Sequence, residues 1–287
     1  DVARFYPLRI LNRHEVINDR IGDTPVLVTY CPLCNSAVVF DPTVEGTHLR
    51  FGTSGLLRNS DLVLWDDATE SLWQQLTGEA IVGESTGAQL RPLASAILRW
   101  GDFAGRYQDG QVLGRNQGGK VLYGDNPYVG YSRRSAPLDE FFAGEVDQRL
   151  PPLERVVGVS WGGDHAAVSF SVAREHEAVN LEVGGRPVVV LWGAASTTDA
   201  LDAFTIAAGD PIGTALAYST EIDGKMVTLE PIAPDRFVDR ETASEWTLLG
   251  EAIAGPMLGT RLELVPHTNE FWFAWQAFND PDGLVRG

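Results

Sequence analysis

The chain has 287 residues, of which 44% are hydrophobic and 21% charged, an ordinary globular composition that excludes disorder. Its formal net charge is -17, from 39 acidic and 22 basic residues, and among the latter only Lys120 and Lys225 are lysines. Such an acidic, lysine-poor chain is expected to repel nucleic acid and anionic lipid, and no apolar run approaches the roughly 18 residues of a membrane span.

In chain order, Val16 to Ile21 and Pro25 to Tyr30 are rich in β-branched residues and flank Gly22-Asp23, which predicts a tight hairpin. Ala37 to Phe40, His48 to Phe51 and Leu62 to Trp65 read as further short strands between Asp/Pro/Gly/Ser turns. Leu72 to Leu76, Ile81 and Leu90 continue the β pattern. Ala94 to Tyr107, with Ile97, Leu98, Phe103 and Ala104 as its apolar positions, is expected to contain a short helix. Gln108 to Pro152, rich in Gly, Pro, Asn and Tyr, reads as a functional loop layer or a packed strap. The rest repeats the scheme, with Thr197 to Phe204 as an extra helix.

The repetition is explicit. His14-Glu15-Val16-Ile17-Asn18 returns as His176-Glu177-Ala178-Val179-Asn180, and at the same offset Gly22, Pro25 and Val26-Leu27-Val28 meet Gly184, Pro187 and Val188-Val189-Val190. Asp66, Thr69, Ser71 and Trp73 match Asp239, Thr242, Ser244 and Trp246. Trp100 and Phe103 match Trp275 and Phe278. An ordered series of this kind predicts an internal duplication. The expected class is mainly β (α+β): two related β-rich halves with short helices, 1–107 and 161–287, joined by a long connector, 108–160. The tryptophans fall mostly at repeat-equivalent positions and are expected in the core. The halves differ at the cysteines, where Gly193 and Ser196 stand opposite Cys31 and Cys34.

Cys31-Pro32-Leu33-Cys34 ends an apolar strand and precedes another, the layout of a metal knuckle whose tight turn aims backbone N–H groups at two thiolates. A thioredoxin-type site would instead open a helix inside the motif. Two thiolates do not close a tetrahedral site, so further ligands must come from elsewhere. If Gly22-Asp23 is the turn, Ile21 pairs with Thr24, and extending that register sets His14 opposite Cys31 as a third ligand or a modifier of thiol acidity. The equivalent His176, in the half without cysteines, argues instead for a structural His-Glu pair. Readings therefore remain open between a metal site for zinc or copper, a disulfide and a cysteine nucleophile. His48, His165 and His267 show no ligand spacing.

A second polar cluster comprises Ser54, Arg58, Asn59, Ser60 and Asp61, followed by Glu70, Gln74 and Gln75. As a pocket it offers Arg58 for carboxylate or phosphate recognition and Asp61 or Glu70 as acid/base groups. As scaffold it ties turns together. Gly52-Thr53-Ser54-Gly55 is not a nucleophile elbow, and Gly114 to Gly119 lacks the Lys-Ser/Thr of a phosphate loop. These groups leave three functions in view: a thiolate metal or redox site, a module binding a small polar ligand or protein partner with a structural disulfide, and a hydrolase.

The segments VTYCPLCNSAVVFD, FGTSGLLRNSDLVLWD, TESLWQQLTGEAIVG and YGDNPYVGY together resemble the prokaryotic family of domain of unknown function 3179, along nearly the whole chain. The resemblance implies that Cys31, Cys34, Ser54, Arg58, Asn59, Asp61, Glu70, Gln74, Gln75, Asn126 and Tyr128 are the defining polar residues. It also implies an exported protein, in the cell envelope or outside, with any signal segment removed ahead of Asp1.

Overall fold

The computed structural model describes residues 2–116, 121, 123–194 and 197–285. Strand outweighs helix, 43% against 13%, and the α-helices among the described residues are four short ones, so the protein is mainly β. No described helix is long and apolar enough to cross a membrane. Contacts divide the chain into two units: Asp1–Leu93, Leu98–Leu153 and Thr198–Pro211 in the first, Ala94–Ile97, Glu154–Thr197 and Ile212–Gly287 in the second. Residues 108–153, read in the sequence as connector, thus pack within the first unit.

The first unit is built on the predicted hairpin. Val16–Ile21 pairs with Thr24–Cys31 in the register Ile21↔Thr24 through Val16↔Thr29, and Ser36–Asp41 and Arg91–Leu93 complete a four-stranded sheet. In Thr24–Cys31 every residue from Val26 onward is buried, because both faces of this central strand are covered. Val26, Val28 and Tyr30 pack with Leu11 of the helix Leu8–His14. The alternate residues Leu27, Thr29 and Cys31 point to the opposite face. There a second sheet lies within reach: Thr29 accepts a hydrogen bond from Gln75 at 2.8 Å, and the Cys31 thiol meets the Ser60 carbonyl at 3.5 Å. That sheet orders its strands Ala80–Val82, Leu72–Gln74, Asp61–Asp66 and Phe51–Arg58.

Several expectations are corrected. The register does not extend to His14, because Leu8–His14 is helical and Glu15 turns the chain with φ 58°. The strand expected over His48 to Phe51 splits, with Thr47–His48 pairing Thr43–Val44 and a separate strand starting at Phe51. Phe51–Arg58 is itself a strand, irregular between Thr53 and Leu57, where a polar inter-strand cluster was expected. The helix near Ala94 to Tyr107 occupies Trp100–Arg106. Thr197 to Phe204 is not helical. Asp199 accepts the Leu201 N–H at 2.9 Å, a side-chain bond that competes with helix, and the nearest helical turn is the 3-10 segment Ile206–Ala208.

The second unit contains the sheets Ala178–Val183/Arg186–Gly193/Thr214–Ser219, His267–Phe271/Arg155–Trp161/Asp164–Ser169/Leu284–Val285 and Leu229–Ala233/Arg236–Asp239/Glu245–Thr247/Ala252–Ala254. Its core joins Val157, Val168, Val188, Val190 and Trp192. Three devices occur in both units. The helices Leu8–His14 and Phe170–His176 each end at a glutamate with positive φ, 58° at Glu15 and 56° at Glu177, whose carbonyl accepts from Tyr30 or Trp192 at 2.8 Å. Asn18 binds both backbone groups of Phe51, as Asn180 binds those of Leu229. Asp66 and Asp239 each accept from an indole, Trp73 at 2.8 Å or Trp246 at 2.9 Å, and from a threonine hydroxyl at 2.8 Å.

Candidate metal centre

Cys31 is the last residue of its strand, and Cys34 lies in the knuckle before Ser36, which pairs back with Cys31. The turn is closed by Asn35, whose N–H donates to Pro32 O at 3.1 Å with φ 53°, and whose side-chain oxygen accepts from the Tyr30 hydroxyl at 3.3 Å. Both cysteines are free thiols, 2% and 0% exposed.

The third member comes from the other sheet. Asn59 and Ser60, with φ 49° and 64°, turn the chain out of Phe51–Arg58 so that Asp61 opens the next strand, wholly buried. One sulfur from each cysteine and one carboxylate oxygen of Asp61 all lie within 4.8 Å of one another. Gln74 Nε2 donates to Asp61 Oδ2 at 2.5 Å and the Leu76 N–H to the same oxygen at 2.9 Å, while Oδ1 has no conventional hydrogen-bond partner. Gln75 clamps the two sheets beside the knuckle by accepting from Ser36 at 2.9 Å and donating to Thr29.

Burial governs the acidities. It pushes the Cys34 thiol well above its ordinary value, with neighbouring Cys31 and Asp61 acting in the same direction. It also pushes Asp61 up to about 6, against the opposing hydrogen bonds from Gln74, Leu76 and the two thiols. Cys34 and Asp61 are therefore held toward their protonated forms, and a cation would reverse that preference.

Residues 123–141 cover this region. Tyr123 lies 2.7 Å from His14 Nε2, Tyr128 donates to Glu15 at 3.3 Å, and Phe141 O accepts the Ser60 N–H at 2.7 Å. The Tyr128 phenol is raised by burial and by Glu15, the Tyr131 phenol by burial and by both cysteines.

Of the residues singled out in the sequence, Cys31, Cys34, Asp61 and Gln74 meet, with Arg58 donating to Gln74 at 3.3 Å. His14 is not in the group; it is engaged by Tyr123 where the helix displaces it from the strand register. Ser54 is spent on the bulge, donating to Val63 O at 2.5 Å. Asn59 serves the turn. Glu70 is an exposed turn residue beyond Asp66, at the far end of the strand that Asp61 begins, roughly 17 Å away at strand rise. Asn126 holds the Tyr128 N–H and Ala203 O, tying the strap to Thr198–Pro211. The sequence shows Ser60 only as a member of the polar cluster, with no role of its own, and Tyr131 only as a further residue of the Tyr-rich connector. In the second unit, Gly193 faces Leu248, whose Cδ2 would lie 2.3 Å from any Cβ placed there. Ser196, aligned with Cys34, and residues 117–119 of the Gly114 to Gly119 loop lie outside the described residues.

The family described as Protein of unknown function (DUF3179) matches residues 1–282. No curated protein and no solved structure matches the chain.

Proposed function

Because the chain belongs to the family of proteins of unknown function DUF3179, we propose its function from its own site: Cys31, Cys34 and Asp61 form a transition-metal centre. The observation that carries the reading is the convergence of two thiols and a carboxylate within 4.8 Å at full burial. Tetrahedral zinc, with metal–ligand bonds near 2.0–2.3 Å, sets its ligands about 3.3–3.8 Å apart, so a small contraction accommodates it. Two thiolates also suit copper(I), the soft-ligand alternative. Without a cation, three ionised groups in a desolvated space would be costly. With a divalent one the net charge falls to about one negative. Asp61 replaces His14 as the third ligand, and Gln74 and the Leu76 N–H orient it.

We further propose that the two units descend from one duplicated ancestor. The paired His-Glu helix ends, Asn clamps and Asp-Thr-Trp networks support this, and the centre would belong to the first copy alone. We also propose an exported location, in which a bound metal would keep the buried dithiol from oxidation.

Metal analysis of protein purified without chelator or a polyhistidine tag tests the centre. One equivalent of zinc or copper per chain, lost in Cys31→Ser, is expected. Less than about 0.2 equivalents in the parent protein, with no uptake on titration, overturns it.

A further inference from the structure

A centre of this composition raises the question of its fourth position. Among the described residues no fourth histidine, cysteine, aspartate or glutamate joins Cys31, Cys34 and Asp61. Structural zinc sites close with four protein ligands, whereas sites with three keep a position for water or substrate. A second observation concerns the residue beside Asp61. Ser60 is 0% exposed, yet its hydroxyl has no hydrogen-bond partner. A buried polar atom of this kind calls for an occupant, because leaving it unpaired is costly.

Ser60 is well placed to serve one. It is joined through its peptide to Asp61, its carbonyl accepts from the Cys31 thiol, and Phe141 O accepts from its N–H. A left-handed backbone, φ 64°, fixes this arrangement, a conformation that non-glycine residues adopt at a cost. The full burial of the two cysteines and Asp61 limits any occupant to the size of water or a small anion.

Resting on the metal reading above, we propose that the centre is open: its fourth position holds an exchangeable water, or a small monoanion in its place, hydrogen-bonded by the Ser60 hydroxyl. The centre then acts as a Lewis acid toward small oxygen or nitrogen donors. Ser60 is a positioning residue that acts on the metal-bound ligand.

The test loads the full-length chain with cobalt(II), whose visible d–d bands report its ligands, and titrates it with azide. Saturable shifts of those bands are expected in the parent protein. Ser60→Gly, which relaxes a positive φ, and Ser60→Ala should both keep one cobalt per chain and the parent bands while binding azide about five- to tenfold more weakly, the loss of one hydrogen bond. Bands indifferent to azide would mean a fourth protein ligand and overturn the open position while leaving the metal centre standing. Parent affinity for azide in both variants would overturn the role of Ser60. Failure to take up cobalt, zinc or copper at all overturns the metal reading itself, and this inference with it.

Discussion

Gln74 donates its side-chain amide to Asp61 over 2.5 Å, so a neutral group holds the carboxylate that faces the two thiols. A cationic partner would pair with Asp61 and compete with any metal. A neutral donor fixes the carboxylate and leaves its charge available. Arg58 in turn donates to the Gln74 side-chain oxygen.

Gln74→Leu should therefore lower metal affinity about 10- to 100-fold while sparing the fold, as losses of an orienting partner do at other centres. Competition with a chromophoric chelator measures it, with circular dichroism as the control. An unchanged affinity would mean that Asp61 is not a ligand.

Removing the metal should expose its effect on the thiols. In chelator-treated protein, Cys31 and Cys34 are expected to react with a disulfide reagent only slowly, through local opening of the fold that exposes them, and metal loading should slow that reaction further. Metal uptake at neutral pH should release protons, since burial holds Cys34 and Asp61 up toward their protonated forms. Calorimetry in buffers of different ionisation enthalpy counts those protons.

Asp66→Asn and Asp239→Asn should each destabilise their unit, by about 1–3 kcal/mol, through loss of charge-assisted bonds from the indole, the hydroxyl and the backbone. Urea unfolding measures the loss. A large effect in one unit and none in the other would contradict the equivalence of the two networks.

The same two carboxylates set a pH dependence. Burial alone would raise Asp66 and Asp239, but hydrogen bonds from Trp73 and Thr69, and from Trp246 and Thr242, hold both below the usual carboxylate range. A depressed folded pKa contributes stability that is fully present above the unfolded value, about 3.9, and is lost as pH falls through the folded one. Urea midpoints between pH 6 and 2 should therefore show a loss (about these pH values) that the double substitution Asp66→Asn/Asp239→Asn flattens.

Gly193→Cys, which places a thiol in the second unit, should destabilise by about 1–3 kcal/mol and bind no metal, because Leu248 already fills the space. Adding Leu248→Ala should relieve the clash. Thermal unfolding of the single and double variants checks both statements.

The amino-acid sequence by itself determined the local features of this protein. Gly22-Asp23 set the hairpin and its register, alternation along Val26 to Cys31 set which residues share a face, and the cysteine knuckle between two apolar runs was legible as strand–turn–strand. These depend on backbone preferences and on side-chain periods of two, which neighbouring residues carry among themselves. The tertiary structure alone decided the composition of the site. The helix Leu8–His14 gave no strong periodic signal over so few residues, and by forming it removed His14 from the strand register. Asp61 reaches the cysteines because a second sheet packs on the face that carries Leu27, Thr29 and Cys31, with Gln75 bridging the two. Which carboxylate of that sheet meets the thiols depends on where the strand Asp61–Asp66 begins, and so on the turn at Asn59 and Ser60. Contacts between segments distant in sequence leave no spacing to read.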